Sequence, residues 1–195
     1  MLCLAGLLGL GSSSFALGAV VVFSDNFDDG DVTDWTKTTN YGGPTFVTAD
    51  TTEFVLPSYS LETYLEPGPS GSDLYVRASH DFSAPVASDY SLNLWARSRD
   101  CSGCVISYDV LVDGVLLDRV NQEVDFEQRS FLLSGLAPGT HTLSLGMYTT
   151  NASSGRFYAK FDDVVISQVP LPAAAWLFIS ALGGLVVAKR KQLEA

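Results

Sequence analysis

The chain has 195 residues, with 22 acidic side chains against 11 basic ones and a formal charge of −11, yet its mean hydropathy is positive at +0.20. That length allows one ordinary domain with appendages. The acidity excludes nucleic acid as a partner, because phosphate binding needs a basic face. The apolar residues concentrate at the two ends. Residues 2–22 carry no charge. The run Leu2 to Leu10 gives way to Ser12, Ser13, Ser14 and Phe15, then to Ala16, Leu17 and Gly18. An apolar stretch closed by small residues predicts a secretory signal peptide over residues 1–18, with Ala16 and Gly18 at the −3 and −1 positions. No Lys or Arg precedes the run, which leaves open a start upstream of Met1.

Residues 19–168 are expected to form one extracytoplasmic domain. They hold 21 of the acids and 8 of the bases, a formal −13. No long helical period is visible. Segments of period 2 bounded by turn residues recur instead, which predicts an all-β fold, an antiparallel β-sandwich of jelly-roll type with roughly eight to ten strands. Near its start Asp25, Asp28, Asp29, Asp31 and Asp34 crowd around Gly30, while Asp162 and Asp163 fall on the last predicted strand. If the first and last strands pair, Asp25, Asp28, Asp29, Asp31, Asp162 and Asp163 converge on a structural calcium site, since Ca²⁺ takes about six to eight oxygen ligands. The spacing is not that of an EF-hand, and a solvated acidic turn is the alternative. The stretch 57–73, rich in Pro and Gly, is expected to be irregular.

Asp89 to Arg97 reads as a strand. With Leu92 and Leu94 toward the core, Ser91, Asn93, Trp95 and Arg97 share the opposite face. A ring beside hydrogen-bonding groups suits a sugar, whose C–H faces stack on aromatic rings, so Asn93, Trp95 and Arg97 are candidate ligand-binding residues. Trp35, Tyr41, Tyr59 and Tyr64 are candidates to extend that surface, and a core position for Trp95 is the alternative. Cys101 and Cys104 follow in a Cys-x-x-Cys turn. With Cys3 removed alongside the signal, two cysteines remain outside the cytoplasm, and a disulfide between them is expected. Ile106, Tyr108, Val110 and Val112 then alternate with polar residues up to Asp113-Gly114, a two-residue hairpin turn, and Val115 to Val120 returns. Between Ser130–Leu133 and Thr140–Leu145, Ala137-Pro138-Gly139 supplies a turn.

Glu123-Val124-Asp125-Phe126-Glu127 resembles the Glu-x-Asp-x-Glu pattern of laminarinase- and lichenase-type glycoside hydrolases. On a strand the three acids would share one face, about 6.5–7 Å apart. The resemblance implies Glu123 as nucleophile, Asp125 as its helper and Glu127 as acid. A five-residue pattern arises easily in so acidic a chain, and a plain acidic face is the preferred reading, so no catalytic residue and no enzyme activity is expected. Gly139-Thr140-His141-Thr142-Leu143-Ser144-Leu145 together with Phe157-Tyr158-Ala159-Lys160-Phe161-Asp162-Asp163-Val164-Val165-Ile166 resembles the closing strands of galactose-binding-like and other carbohydrate-binding β-sandwiches.

The C-terminal segment, residues 169–195, has three parts in order. Val169-Pro170-Leu171-Pro172-Ala173 is held extended by its two prolines. An uncharged span runs from Ala173 to Ala188, about 24 Å if helical, slightly short of the ~30 Å hydrocarbon core. Lys189, Arg190 and Lys191 follow and should stay cytoplasmic. This series resembles the sorting signal of PEP-CTERM proteins in the VPLPA variant. The resemblance implies a Gram-negative host, recognition by an exosortase, a transient anchor in the inner membrane by one transmembrane helix, and delivery to the cell surface or matrix. The expected function is that of an exported structural or adhesive protein associated with exopolysaccharide or biofilm. The alternative is a carbohydrate-binding module.

Overall fold

The computed structural model describes residues 19–55, 58–66, 73–98, 105–121, 125–150 and 157–170. The signal peptide, Cys101, Cys104, Glu123, and the sorting signal from Leu171 through Lys189, Arg190 and Lys191 lie outside these residues. The described strands are β1 Val21–Asp25, β2 Thr36–Thr39, β3 Thr45–Asp50, β4 Ser60–Leu65, β5 Leu74–Ala84, β6 Ser88–Ser98, β7 Ile106–Val112, β8 Val115–Asn121, β9 Glu127–Leu136, β10 Gly139–Thr149 and β11 Phe157–Gln168. No helix occurs among the described residues, and the expected all-β fold with antiparallel sheets is what forms.

One sheet has the order β3-β4-β11-β6-β9, with β1 also pairing to β11; the other has the order β2-β5-β10-β7-β8. All their pairings are antiparallel. Alternate residues of each strand turn inward and fill the space between the sheets. Leu61, Leu65, Leu92, Leu94, Phe161 and Ile166 come from one sheet, and Val76, Tyr108, Val110, Leu143, Leu145 and Met147 from the other; all are buried. At about 25 cal/mol per Å², each such aliphatic chain stabilises the fold by roughly 1.5–3 kcal/mol. The outer residues of the same strands are left free to be polar, and that is where a functional surface has to be sought.

The turns follow their sequences in one case and depart in another. Asp113 and Gly114 both have positive φ, 50° and 76°. This is the conformation that lets a two-residue turn match the strand twist, and β7 and β8 form the expected hairpin. Ala137-Pro138 does not join neighbouring strands. It carries the chain from β9 in one sheet to β10 in the other. His141 ties the two turns together, with Nδ1 2.7 Å from Asp113 Oδ2 and Nε2 2.8 Å from the Ala137 carbonyl. Both ring nitrogens face acceptors, which favours the imidazolium. The bond to Asp113, helped by that to Ala137, holds His141 above its ordinary pKa. Burial alone would raise the Asp113 carboxyl, but His141 and the Thr142 N–H outweigh it and hold that carboxyl low.

Candidate functional site

The outer face of the five-stranded sheet carries a charged centre that strand patterning in the sequence does not announce. Arg77 projects from β5 between the core residues Val76 and Ala78, and Asp109 from β7 between Tyr108 and Val110. The strand between them, β10, places Gly146 opposite both. A Cβ at that position would collide with the Val76 carbonyl oxygen and the Arg77 side chain. The gap at Gly146 lets Arg77 lie across β10 and reach Asp109, donating from Nη2 at 2.7 Å. From the far side Arg119 of β8 donates to the same carboxylate through Nε at 2.6 Å and Nη2 at 2.8 Å. Asp109 is fully buried beneath the two guanidiniums, whose side chains keep 20% and 31% of their exposure. The hydrogen bond to Asp109 pushes the Arg119 pKa up. Each guanidinium also lies over a ring. Arg119 is 3.4 Å from the centroid of Tyr148 and Arg77 is 4.3 Å from that of Tyr75.

From this centre a polar track runs along β5 and β10. Ser79 and Ser144 share a hydrogen bond of 2.8 Å, and Thr142 donates to Asp81 at 2.7 Å. The track opens into a depression of about 390 Å³ lined by Asp34, Thr36, Ser79, His80, Asp81 and Thr142. The face combines oriented cations, hydroxyls and carboxylates, so it offers hydrogen-bond donors and acceptors side by side. Strand alternation in the sequence places Tyr75, Arg77 and Ser79 on one face of β5. What alternation does not reveal is that β10 lies between β5 and β7.

The outer face of the six-stranded sheet holds the residues singled out from sequence. Leu92 and Leu94 enter the core, and Ser91, Asn93, Trp95 and Arg97 are half-buried on the opposite side. Asn93 and Arg97 each have a partner, though Arg97 Nε is buried without one. Asn93 accepts a hydrogen bond from Ser130 at 2.6 Å, and Arg97 pairs with Glu53 at 3.0 Å. Beside them Lys160, 2% exposed, reaches Asp50 at 2.6 Å, Glu53 at 2.7 Å and Glu62 at 3.5 Å. Burial alone would lower the Lys160 pKa; the bonds to Asp50 and Glu53 and the charge of Glu62 outweigh it and hold the pKa above the ordinary value. Burial opposes ionisation of Asp50 and Glu53 in the same way, and the bonds from Lys160 outweigh it, so both stay low. The β3–β4 connection is thereby pinned on the sheet, and Val55 N–H adds a bond of 2.7 Å to the buried Asp162. Of the other aromatics, Trp35 belongs to the core at 4% exposure and donates to Asp25, while Tyr41 and Tyr59 pack against the core and Tyr64 stacks on Phe46.

The expected meeting of the first and last strands takes place, since β1 pairs with β11, but their carboxylates serve different partners. Asp25 takes the Phe27 N–H and the Trp35 indole, Asp29 the Asp31 N–H, and Asp31 the Thr33 N–H. Asp28 accepts from the Asn26 amide. The bonds to Asp25, Asp29 and Asp31 are local turns of the Asx kind, in which the carboxylate satisfies a backbone N–H two residues on. Asp162 turns to Val55, and Asp163 sits at an irregularity in the β11–β6 pairing with φ 48°. Among the described residues no group of three or more His, Cys, Asp or Glu side chains is placed to hold a metal ion. In the acidic pentapeptide, Asp125 precedes the strand, and Glu127 opens β9 in an ion pair of 2.8 Å with Arg129. The two acids therefore do not sit at alternate positions of one strand.

No protein-family profile matches the chain, and no curated protein matches it in sequence. Solved structures do. The TmCBM61 module in complex with β-1,4-galactotriose is similar at 14% identity and TM-score 0.50, over 74% of this chain and 94% of that one. The CBM22-1 xylan-binding domain of Xyn10C from Paenibacillus barcinonensis is similar at 16% identity and TM-score 0.51, over 79% and 97%. The K3 cleaved adhesin domain of the Lys-gingipain of Porphyromonas gingivalis is similar at 16% identity and TM-score 0.52, over 77% and 99%. At these identities the likeness establishes the fold, a β-sandwich of the kind found in carbohydrate-binding modules.

Proposed function

We propose that this protein is a non-catalytic carbohydrate-binding module displayed outside the inner membrane, of the jelly-roll, galactose-binding-like class. The glycan lies along the outer face of the five-stranded sheet. The observation that carries this reading is the Arg77–Asp109–Arg119 centre, partly open to solvent at one end of a track of hydroxyls and carboxylates. The fold likeness to sugar-binding modules supports it. The face bearing Trp95 is the weaker choice, because Arg97 keeps 13% of its side-chain exposure against 20% and 31% for Arg77 and Arg119. A glycan array probed with the full chain in mild detergent tests the reading. Binding that weakens in Arg119→Gln and persists in Trp95→Ala is the expected result; an array without any bound glycan overturns it.

The sorting role belongs to the same proposal. The last strand ends at Gln168, so the Val169–Ala173 motif begins where the sandwich stops. An exosortase acting there would release the whole β-domain to the surface or into an exopolysaccharide matrix. The mass of the mature protein from exosortase-bearing cells is expected to lack residues beyond about Ala173. An intact C-terminus removes the sorting claim and leaves the binding claim standing.

A further inference from the structure

We propose that the outer face of the five-stranded sheet selects glycans carrying a uronate, with the sugar carboxylate seated on Arg77 and Arg119. The inference rests on the reading of that face as the glycan site and adds the chemical class of the ligand.

The domain carries a formal −13 on residues 19–168, yet two of its 8 basic side chains are gathered around a single carboxylate on this face. Arg77, Arg119 and Asp109 sum to a formal +1, with Asp73 beside Tyr148 near enough to act on Arg119. A guanidinium offers a planar fork of N–H donors, and Asp109 accepts from only three of those on the two arginines. The remaining donors belong to cations oriented in advance, by Asp109 on one side and by a tyrosine ring beneath. Such a fork matches a carboxylate, which can accept two parallel hydrogen bonds. The rings themselves are poor platforms for a neutral sugar. The face that Tyr148 and Tyr75 would offer to a pyranose is covered by Arg119 and Arg77.

The other end of the track has the opposite sign. Asp81 lies four residues along β5 from Arg77, about 13 Å at strand rise, and Asp34 stands beside it in the depression. Carboxylates there accept sugar hydroxyls and repel a second uronate. The preferred ligand therefore has a charged sugar at the arginine end and neutral sugars beyond it.

Calorimetry with the full chain in mild detergent tests this, using glucuronoxylan and xanthan, each beside its carboxyl-reduced form. Reduction is expected to weaken binding about 10- to 100-fold, the range for losing a charge-assisted hydrogen-bonded pair. Equal affinity for native and reduced polymers overturns the uronate inference while the carbohydrate reading stands. No binding of these polymers or of any neutral glycan overturns both. Arg119→Lys, which keeps the charge and loses the fork, is expected to erase most of the difference; its melting curve reports whether it is folded. Polygalacturonate, charged on every sugar, is expected to bind more weakly than glucuronoxylan. Equal or tighter binding overturns the role given to Asp34 and Asp81.

Discussion

The two outer faces of the sandwich solve the same electrostatic problem with opposite signs. On the six-stranded sheet one buried cation, Lys160, is surrounded by Asp50, Glu53 and Glu62 and closed over by the β3–β4 connection. On the five-stranded sheet one buried anion, Asp109, lies between two guanidiniums that stay partly open to water. A lysine offers a compact point charge that carboxylates can enclose on several sides. A pair of arginines offers planes that satisfy one carboxylate along an edge and still present donors outward. The first arrangement fastens a loop, and the second presents a surface. Charge on a protein face thus says little until the number of donors left over is counted.

This contrast can be broken by measurement. Lys160→Met removes the buried cation that Asp50, Glu53 and Glu62 share, and is expected to cost about 3–5 kcal/mol in chemical denaturation, as for breaking a buried ion pair. Asp109→Asn leaves two arginines that water can still reach, and a smaller loss of about 2 kcal/mol is expected. If the second loss equals or exceeds the first, the distinction between a closed and an open centre fails. Gly146→Ala forces Arg77 off its path across β10. A cost of about 1–3 kcal/mol is expected from overpacking, with a loss of glycan binding in protein that remains folded. Preserved binding would show that Arg77 need not reach Asp109.

The smallest effects are those of pH. Asp50 and Glu53 are depressed, so the stability they contribute is complete above the ordinary carboxylate range, near ~4, and is lost as pH falls through their lowered values. Hydrogen exchange in residues 51–55 is expected to rise first on acidification. His141 is raised, so its contribution is complete below about 6.5 and is lost as pH rises through its folded value. His141→Gln is expected to melt a few degrees lower (~2–4 °C) at pH 6, with the gap narrowing at pH 9. A gap that widens with pH would reverse the assignment of charge to that ring.

The sequence made local features legible and long-range ones not. Alternation around Leu92 and Leu94 gave the correct buried face of β6, and Asp113-Gly114 gave the hairpin it forms. Ala137-Pro138-Gly139 marked a turn without revealing that the turn changes sheets, because a turn's residues encode its bend and not which sheet its strands join. The aspartates around Gly30 suggested a metal site from composition. In the fold their oxygens go mainly to backbone N–H groups two residues on, an outcome open to any Asp in a turn. Trp35, a candidate surface ring, is instead buried with its indole on Asp25. The Arg77–Asp109–Arg119 centre was the hardest to see. Its members lie 32 and 10 positions apart, and the residue that brings them together is a glycine on a fourth strand.

The pairing of β1 with β11 also has a mechanical side. Val21 is opposite Ser167, the Gln168 N–H binds the Val20 carbonyl at 2.8 Å, and the domain is therefore entered and left at one point. Tension between those two ends loads an antiparallel pair from its open end. Its hydrogen bonds then break in succession, as in a zipper, rather than all at once as in shear. A tether attached at Val169 would let the sandwich yield to a modest pull by peeling β1, which among the described strands pairs only with β11. A load on the opposite tips of the strands would meet the combined resistance of both sheets.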